Sequence, residues 1–308
     1  MAFAVSKRRW FRIMTSALIS ISASVGLSAS AWAEVTAPVI EGVWQQGSIL
    51  RGQLADGESL YFLDREVPVS PDGFFVLGLG RDFADAAVLT VKAATGDARE
   101  FRFPVKPQQY NIQRVEGVPQ QTVTPDPKHL ERIRKEAAQV AAARKDVSEL
   151  QAYRQEFTWP LLGRISGVYG SQRYYNGNPG RPHYGVDVAA PTGTLVRAPA
   201  DGVVRLAHKD MFFSGGTLIV DHGQGLSSTF MHLHKLLVEE GQTIKQGDEI
   251  AEVGATGRAT GPHLDWRMNW FDQQVDPTFL VPSMSAALAA EKASGSAAES
   301  TDKAEKVQ

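Results

Sequence analysis

Thr260-Gly261-Pro262-His263-Leu264-Asp265-Trp266 and, about eighty residues upstream, His183-Tyr184-Gly185-Val186-Asp187 are the stretches whose reading decides the fold. A β-strand sends alternate side chains to one face, so His263 and Asp265 point the same way. His183 and Asp187 do likewise if their segment is extended. Four metal-competent side chains then face one cleft.

Around these stretches, from Trp159-Pro160 to about Pro282, the chain is β-rich. Hairpin signals recur at Pro191-Thr192-Gly193, Ala200-Asp201-Gly202, Ser214-Gly215-Gly216, Asp221-His222-Gly223 and Gly254-Ala255-Thr256-Gly257. Residues 35–105 also read as short strands, among them Leu60-Tyr61-Phe62-Leu63 and Ala87-Val88-Leu89-Thr90-Val91. Turns such as Asp56-Gly57 and Gly96-Asp97 separate them, and this spacing predicts a small β-sandwich. No catalytic constellation falls within it.

Between the two β regions the texture becomes Ala, Glu, Lys and Arg. Leu130, Ile133, Ala137, Val140, Val147 and Leu150 recur at helical spacing, with Asp126 as N-cap and Pro127 at the first helical position. About 28 residues at 1.5 Å each predict a linker helix roughly 40 Å long. The stretch from Ser283 has few apolar residues and reads as a disordered tail that begins as a short helix. The fold class is therefore mainly β. The divisions are a leader at 1–33, a β-domain at 34–110, a linker at 111–158, a second β-domain at 159–282 and a tail at 283–308.

The leader carries Lys7, Arg8, Arg9 and Arg12 and no acid, then an apolar stretch, then Ala31-Trp32-Ala33 before Glu34. That is the pattern of a cleavable signal peptide, and it predicts a periplasmic or secreted protein. The stretch is short and serine-rich for a membrane span, so no span is expected after cleavage. Arg8-Arg9-Trp10-Phe11 also loosely resembles a twin-arginine signal. Loss of the segment would take the net charge from −2 to −6. Neither value suits a nucleic-acid partner, which favours a clustered basic surface. With no cysteine in 308 residues, thiolate ligands, thiol nucleophiles and disulfides are excluded. Any metal must be held by histidine and carboxylate.

Of seven histidines, six lie from 183 to 263. His129 reads as solvent-facing on the linker helix, His208 has no obvious partner, and His222 reads as a turn residue. His232 and His234 form a His-x-His pair, which on a strand would turn both rings to one side as a chelate. From the residues alone, His183, Asp187 and His234 make a reasonable ligand triad. No His-Glu-x-x-His helix is present.

Residues from about 160 to 280 resemble the lysostaphin-type, LytM-like zinc endopeptidases that cut peptidoglycan peptides. The likeness runs through Val168-Tyr169-Gly170-Ser171, His183-Tyr184-Gly185-Val186-Asp187 and Ala198-Pro199-Ala200-Asp201-Gly202. It continues through Asp221-His222-Gly223, Thr229-Phe230-Met231-His232-Leu233 and Gly254-Ala255-Thr256-Gly257, and closes at Thr260-Gly261-Pro262-His263-Leu264. It implies that His183 and Asp187 are metal ligands, that His232 and His263 are catalytic, and that His234 has no required role. It also implies one zinc ion per chain, with manganese the lesser expectation, and peptidoglycan as partner.

The family's final motif is His-Leu-His, and here Asp265 stands in place of the last histidine. Asp can supply an oxygen ligand at about 2.0–2.2 Å. A His-Asp-Asp set would, however, leave the metal formally neutral, a weaker Lewis acid with some shift towards harder ions. The resemblance thus implies a metallo-endopeptidase, against the alternative of an inactive LytM-like domain that activates a separate cell-wall hydrolase. Gly241-Gln242-Thr243-Ile244-Lys245 also resembles a hairpin of lipoyl or biotinyl carrier domains, without a modification lysine at a suitable tip. Tyr174, Tyr175, Asn176 and Trp270 are candidate groove walls, and Trp266 a core residue. From its place in the chain, the N-terminal β-domain is expected to cover the cleft.

Overall fold

The computed structural model describes residues 37–115, 126–145 and 147–305, so the leader at 1–33 lies outside the described residues. The N-terminal β-domain contains β1 (Val39–Glu41), β2 (Ile49–Gln53), β3 (Ser59–Phe62), β4 (Arg65–Val67), β5 (Phe74–Gly78), β6 (Ala86–Lys92) and β7 (Ala98–Pro104). They form two sheets, in the orders β1-β2-β5 and β4-β3-β6-β7. Leu50, Phe75 and Leu77 from one sheet and Leu60, Leu89 and Val91 from the other are fully buried in a common core, as expected of a small sandwich.

After β8 (Ile112–Val115) comes α1 (Leu130–Ala143), preceded by a single 3-10 turn over Pro127–His129. Asp126 caps that turn by accepting from Lys128 N at 3.0 Å. The helix has 14 residues, half the expected length. Its apolar stripe is real only as far as Val140 and Ala143, which pack on Leu206, Met211 and Ile219. Beyond that patch the underlying sheet is polar, with Asp221 paired to Ser227. A longer helix would find no apolar surface there. The chain instead unwinds, leaving Val147 exposed, and the Ser148 carbonyl accepts from Gln224 N at 3.2 Å. His129, expected to face solvent, is half-buried, with its ring 4.7 Å from that of Phe212.

The C-terminal β-domain contains β9 (Arg164–Gly167), β10 (Gln172–Tyr175), β11 (Asn178–Pro179), β12 (Gly185–Ala189), β13 (Leu195–Arg197), β14 (Gly202–Met211) and β15 (Gly215–Gly223). It continues with β16 (Leu226–Leu233), β17 (Lys235–Leu236), β18 (Thr243–Ile244), β19 (Glu249–Glu252), β20 (His263–Trp270) and β21 (Gln273–Val275). Its main sheet is antiparallel, ordered β18-β14-β15-β16-β20-β12-β9, with β21 added beside β20. Leu264, Trp266, Met268 and Trp270 alternate to one face of β20 and are fully buried. Trp159 closes over that face, 5.8 Å from Trp266. Trp270 is thus core and not groove wall. Its neighbours there come from the N-terminal domain. The Phe62 ring is 5.7 Å away, and a Cβ on Gly78 would lie 2.6 Å from the Trp270 Cβ. The described residues end with α2 (Met284–Glu305), longer than the short helix with which the tail was expected to begin. No described helix is long and apolar enough to cross a membrane.

His222 lies within β15 and is fully buried, not in a turn. Its Nδ1 is 2.7 Å from the Asp201 carbonyl and must therefore carry the proton. Its Nε2 is 2.8 Å from the Ser228 hydroxyl, which donates to it. Trp266 Nε1 in turn donates to Ser228 at 3.3 Å. This chain holds a neutral imidazole in the core, and burial lowers its pKa from 6.5 to about 4. The unfolded chain takes up that proton near pH 6.5 and the native state refuses it. Stability is therefore full above pH 6.5 and falls as the pH drops towards 4, by about 3 kcal/mol from this group. Urea midpoints between pH 7.5 and 4 should show that slope in the wild type and a clearly smaller one in His222→Gln. Equal slopes would mean that His222 does not carry it.

Candidate active site

The register of β20 builds the site. Asp265 sits opposite Asp187 of β12, and Ala189 opposite His263. Cross-strand partners share a face, so both carboxylates stand on the polar side of the sheet, opposite the tryptophans. His183 enters just before β12, its Nε2 3.1 Å from Asp187 Oδ1 and its Nδ1 4.0 Å from Asp265 Oδ2. One donor atom from each of His183, Asp187 and Asp265 lies within 4.8 Å of the other two. Two glycines make the space. A Cβ on Gly167 would run into the Asp187 carboxylate, and one on Gly185 would lie 2.5 Å from Asp265 Oδ1.

His183 Nε2 and Asp187 Oδ1 are buried without a hydrogen-bond partner. Buried polar atoms are rarely left so. One imidazole nitrogen and two carboxylates that converge, two of their atoms otherwise unsatisfied, fit a divalent cation that accepts mixed nitrogen and oxygen ligands.

Asp265 has a partner that the motif comparison did not include. Arg267 Nε donates to Oδ1 at 3.0 Å and to Oδ2 at 3.2 Å, and its Nη2 donates to Oδ2 at 2.7 Å. Burial works to raise the Asp265 pKa. The Arg267 charge and its hydrogen bonds, helped by His183 and His232, outweigh it and hold the carboxyl below its usual value. The charge expectation changes accordingly. Asp265 with Arg267 is as neutral, as a unit, as the histidine it replaces, so an ion held here keeps its formal positive charge. Oδ1 takes only one of these three bonds, so its second lone pair leaves capacity for a ligand bond.

His232 and His263 stand beside this cluster with ring centroids 4.8 Å apart. His232 Nδ1 is 2.9 Å from the Thr256 carbonyl, and His263 Nδ1 is 2.8 Å from the Gly261 carbonyl. A carbonyl only accepts, so each Nδ1 bears the proton and each Nε2 keeps its lone pair. His263 Nε2 is 3.9 Å from Asp187 Oδ1. Burial, the largest influence, lowers the His232 pKa and keeps that ring neutral. His232 also has φ +63°, a left-handed conformation that costs free energy in a residue with a Cβ. It sits in a bulge, since the β15–β16 register shifts between Gly216 and Leu218. The bulge is clamped: His232 N donates to the Ser214 carbonyl at 2.8 Å, and Thr256 Oγ1 bridges Gly216 N and the Leu233 carbonyl.

That bulge breaks the alternation expected of His232 and His234. His234 is exposed, outside the cluster, and cannot chelate with His232. His208 accepts from Asp210 N at 3.2 Å, a local contact. Tyr174 packs under the Arg114 guanidinium, 4.8 Å away, on β10, which pairs with β8. The N-terminal domain reaches β20, β21 and the loop before His183, where Arg81 Nε donates to the Gly170 carbonyl at 2.9 Å. Helix α1 lies on the site's own face, where Arg144 at its end donates to Thr229. Arg267 was legible as the next same-face position after Asp265, and Thr256 carried no signal beyond its turn.

A model of Peptidase family M23 matches residues 181–277. A solved structure from Pseudomonas aeruginosa, assigned to peptidase M23, is 32% identical with a TM-score of 0.62, covering 77% of this chain and 94% of that one. An uncharacterized metalloprotease of Haemophilus influenzae is 40% identical over 109 residues, 35% of this chain and 23% of that protein. The peptidoglycan DD-endopeptidase ShyB of Vibrio cholerae is 40% identical over 95 residues, 31% of this chain and 22% of its own length. The cell division protein DipM of Caulobacter vibrioides is 29% identical over 150 residues, covering 47% and 24%. The chain spans less than a quarter of the length of these three curated relatives.

Arg267 and a bound cation would neutralise the same carboxylate. Arg267→Gln should therefore lower the melting temperature of metal-free protein, because it leaves a buried charge unpaired at a cost of about 3–5 kcal/mol. Added zinc or manganese should raise the melting temperature of the variant by more than it raises the wild type. Equal metal-induced shifts would show that Asp265 takes no part in holding the ion.

Proposed function

The chain belongs to peptidase family M23, and on that premise we propose that it is an exported zinc metallo-endopeptidase acting on the peptides of peptidoglycan. The observation that carries this is the convergence of His183, Asp187 and Asp265 beside two imidazoles with free Nε2 atoms. The likeness to a peptidoglycan DD-endopeptidase supports the substrate class. The basic, apolar and Ala31-Trp32-Ala33 pattern of residues 1–33 supports export.

His183, Asp187 and Asp265 would hold the cation, zinc before manganese, which supplies Lewis acidity at the scissile carbonyl. His232, kept neutral by burial, is the base that takes a proton from the attacking water at Nε2. His263 keeps its Nε2 lone pair in the resting site, and it would donate a hydrogen bond to the oxygen that gains charge only after taking up a second proton there. The strained, clamped backbone at His232 fixes that base in place, and such preorganisation lowers the barrier without reorganisation during reaction.

A second reading has one observation behind it. Both oxygens of Asp265 already accept from Arg267. A site completed by an internal cation suits a domain that binds and activates a separate cell-wall hydrolase without cutting.

Digestion of purified peptidoglycan with and without chelator, followed by fragment analysis, separates the two. The endopeptidase gives metal-dependent fragments. Asp187→Ala should lose both the metal and the products. His232→Ala should keep its metal content while the rate falls by about 100-fold or more. No metal-dependent fragments from the wild type would favour the activator.

A further inference from the structure

The polar face of the main sheet extends past the His183–Asp187–Asp265 cluster to residues that the proposed chemistry does not use. On β20 the next same-face positions are Arg267 and Asn269, which pair across to Thr229 and Ser227 of β16. Ile219 of β15 pairs with Thr229, and Val140 and Ala143 of α1 rest on that isoleucine's apolar patch. The residue that ends α1, Arg144, therefore enters this face beside Thr229. Its Nη2 donates to Thr229 Oγ1 at 2.8 Å.

Arg144 is, among the described residues, a cation without a counter-charge. Among the described residues no carboxylate lies within 4 Å of it, and its Nε is buried with no hydrogen-bond partner. The charges that bear on it are of its own sign. Burial, then Arg267 and Arg181, lower its pKa to about 10, still high enough for it to remain charged near neutrality. Arg267 cannot share its own partner freely, since Asp265 already takes its fork. Thr229 accepts from Arg144, so its hydroxyl proton remains to be donated, with no acceptor among the described residues. Nearby, Ser148 Oγ, Ser227 Oγ and Asn269 Oδ1 are likewise buried and unpartnered.

A buried cation left unpaired costs several kcal/mol. A residue needed only to end a helix would not incur it, because Lys or Gln can do that at the surface. The unsatisfied groups that flank Arg144 are mostly donors: its own Nε–H, and the hydroxyls of Thr229, Ser148 and Ser227. An anionic acceptor satisfies such a set. The planar guanidinium fork matches a carboxylate in particular, with two parallel N–H bonds.

We propose that Arg144, flanked by Thr229 and Arg267, forms a carboxylate-binding subsite that seats an acidic group of the peptide beside the His183–Asp187–Asp265 cluster. The nature of the ligand rests on the peptidoglycan reading, while the carboxylate chemistry rests on the site alone. In a peptidoglycan stem that carboxylate can come from a side chain or from the chain terminus. The subsite would select which peptide bond reaches His232 and His263.

The full chain, kept metal-free by chelator so that nothing is cut, is titrated calorimetrically with a stem tetrapeptide carrying D-glutamate, diaminopimelate and D-alanine. Three analogues each have one carboxylate amidated. One amidation should weaken binding to the wild type by tenfold or more, and its position names the source of the carboxylate. Arg144→Gln should bind all four peptides at that weaker level, and Arg144→Lys should keep part of the discrimination. If Arg144→Gln does not fold, Thr229→Val, which leaves the end of the helix intact, should still cut the discrimination several-fold. The proposal is overturned if no amidation matters to the wild type, or if folded Arg144→Gln discriminates as the wild type does. A chain that discriminates but never cuts overturns the endopeptidase reading alone. One that cuts without discriminating overturns the subsite alone.

Discussion

The antiparallel register of β20 between β12 and β16 is the constraint from which the site follows. Side chains along a strand alternate with period two, so a slip of one residue would exchange every buried group for a polar one. Leu264, Trp266, Met268 and Trp270 fill the core on one face and make such a slip prohibitively costly. The same pairing then fixes His263, Asp265, Arg267 and Asn269 on the other face. Hydrophobic burial on one side of a strand thus sets the position of ionisable groups on the other, and no polar contact has to specify it.

With the carboxylates held this way, electrostatics becomes the main problem. Asp187 and Asp265 face each other across adjacent strands, and Asp265 is almost wholly buried. A buried carboxylate without compensation would take up a proton or destabilise the fold. Arg267, two residues on and on the same face, supplies the compensation through three contacts. The departure from a histidine at position 265 is therefore a change of two residues' roles, with a charge pair doing what one neutral ring does in the family pattern. Lewis acidity at the site does not have to fall on that account, contrary to what counting ligand charges from the motif alone suggests.

Much of this was legible in the sequence wherever period-two alternation holds. It holds at Asp187, His263, Asp265 and Trp266, and there the strand reading and the structure agree. It fails at His232, where one extra residue in β16 and a left-handed backbone turn the ring away from His234. A bulge depends on what the partner strand offers, here the Ser214 carbonyl and Thr256, and no local pattern announces that. The linker helix is shorter than its apolar spacing predicts for a related reason. The apolar spacing of Val147 and Leu150 is helical, but whether it is used depends on the surface beneath, and that surface turns polar past Ile219. His222 looked like a turn residue because Asp-His-Gly resembles one, yet its ring is satisfied on both nitrogens inside the core.

The short helix and the surplus charge are linked. Because α1 stops where its apolar support stops, its last side chain is delivered to the boundary between the Leu206–Met211–Ile219 patch and the polar floor of the cleft. A charged residue there is partly desolvated by the helix and by the sheet, and Arg144 is left half-buried. Arg144 and Arg267 then face the same space from different elements, one fixed by Asp265 and the other held only by a hydroxyl. An arginine held so lightly, next to His232 and the His183–Asp187–Asp265 cluster, suits the acidic peptide group proposed for it. The linker thereby brings to this face a cation that the C-terminal domain alone would not supply.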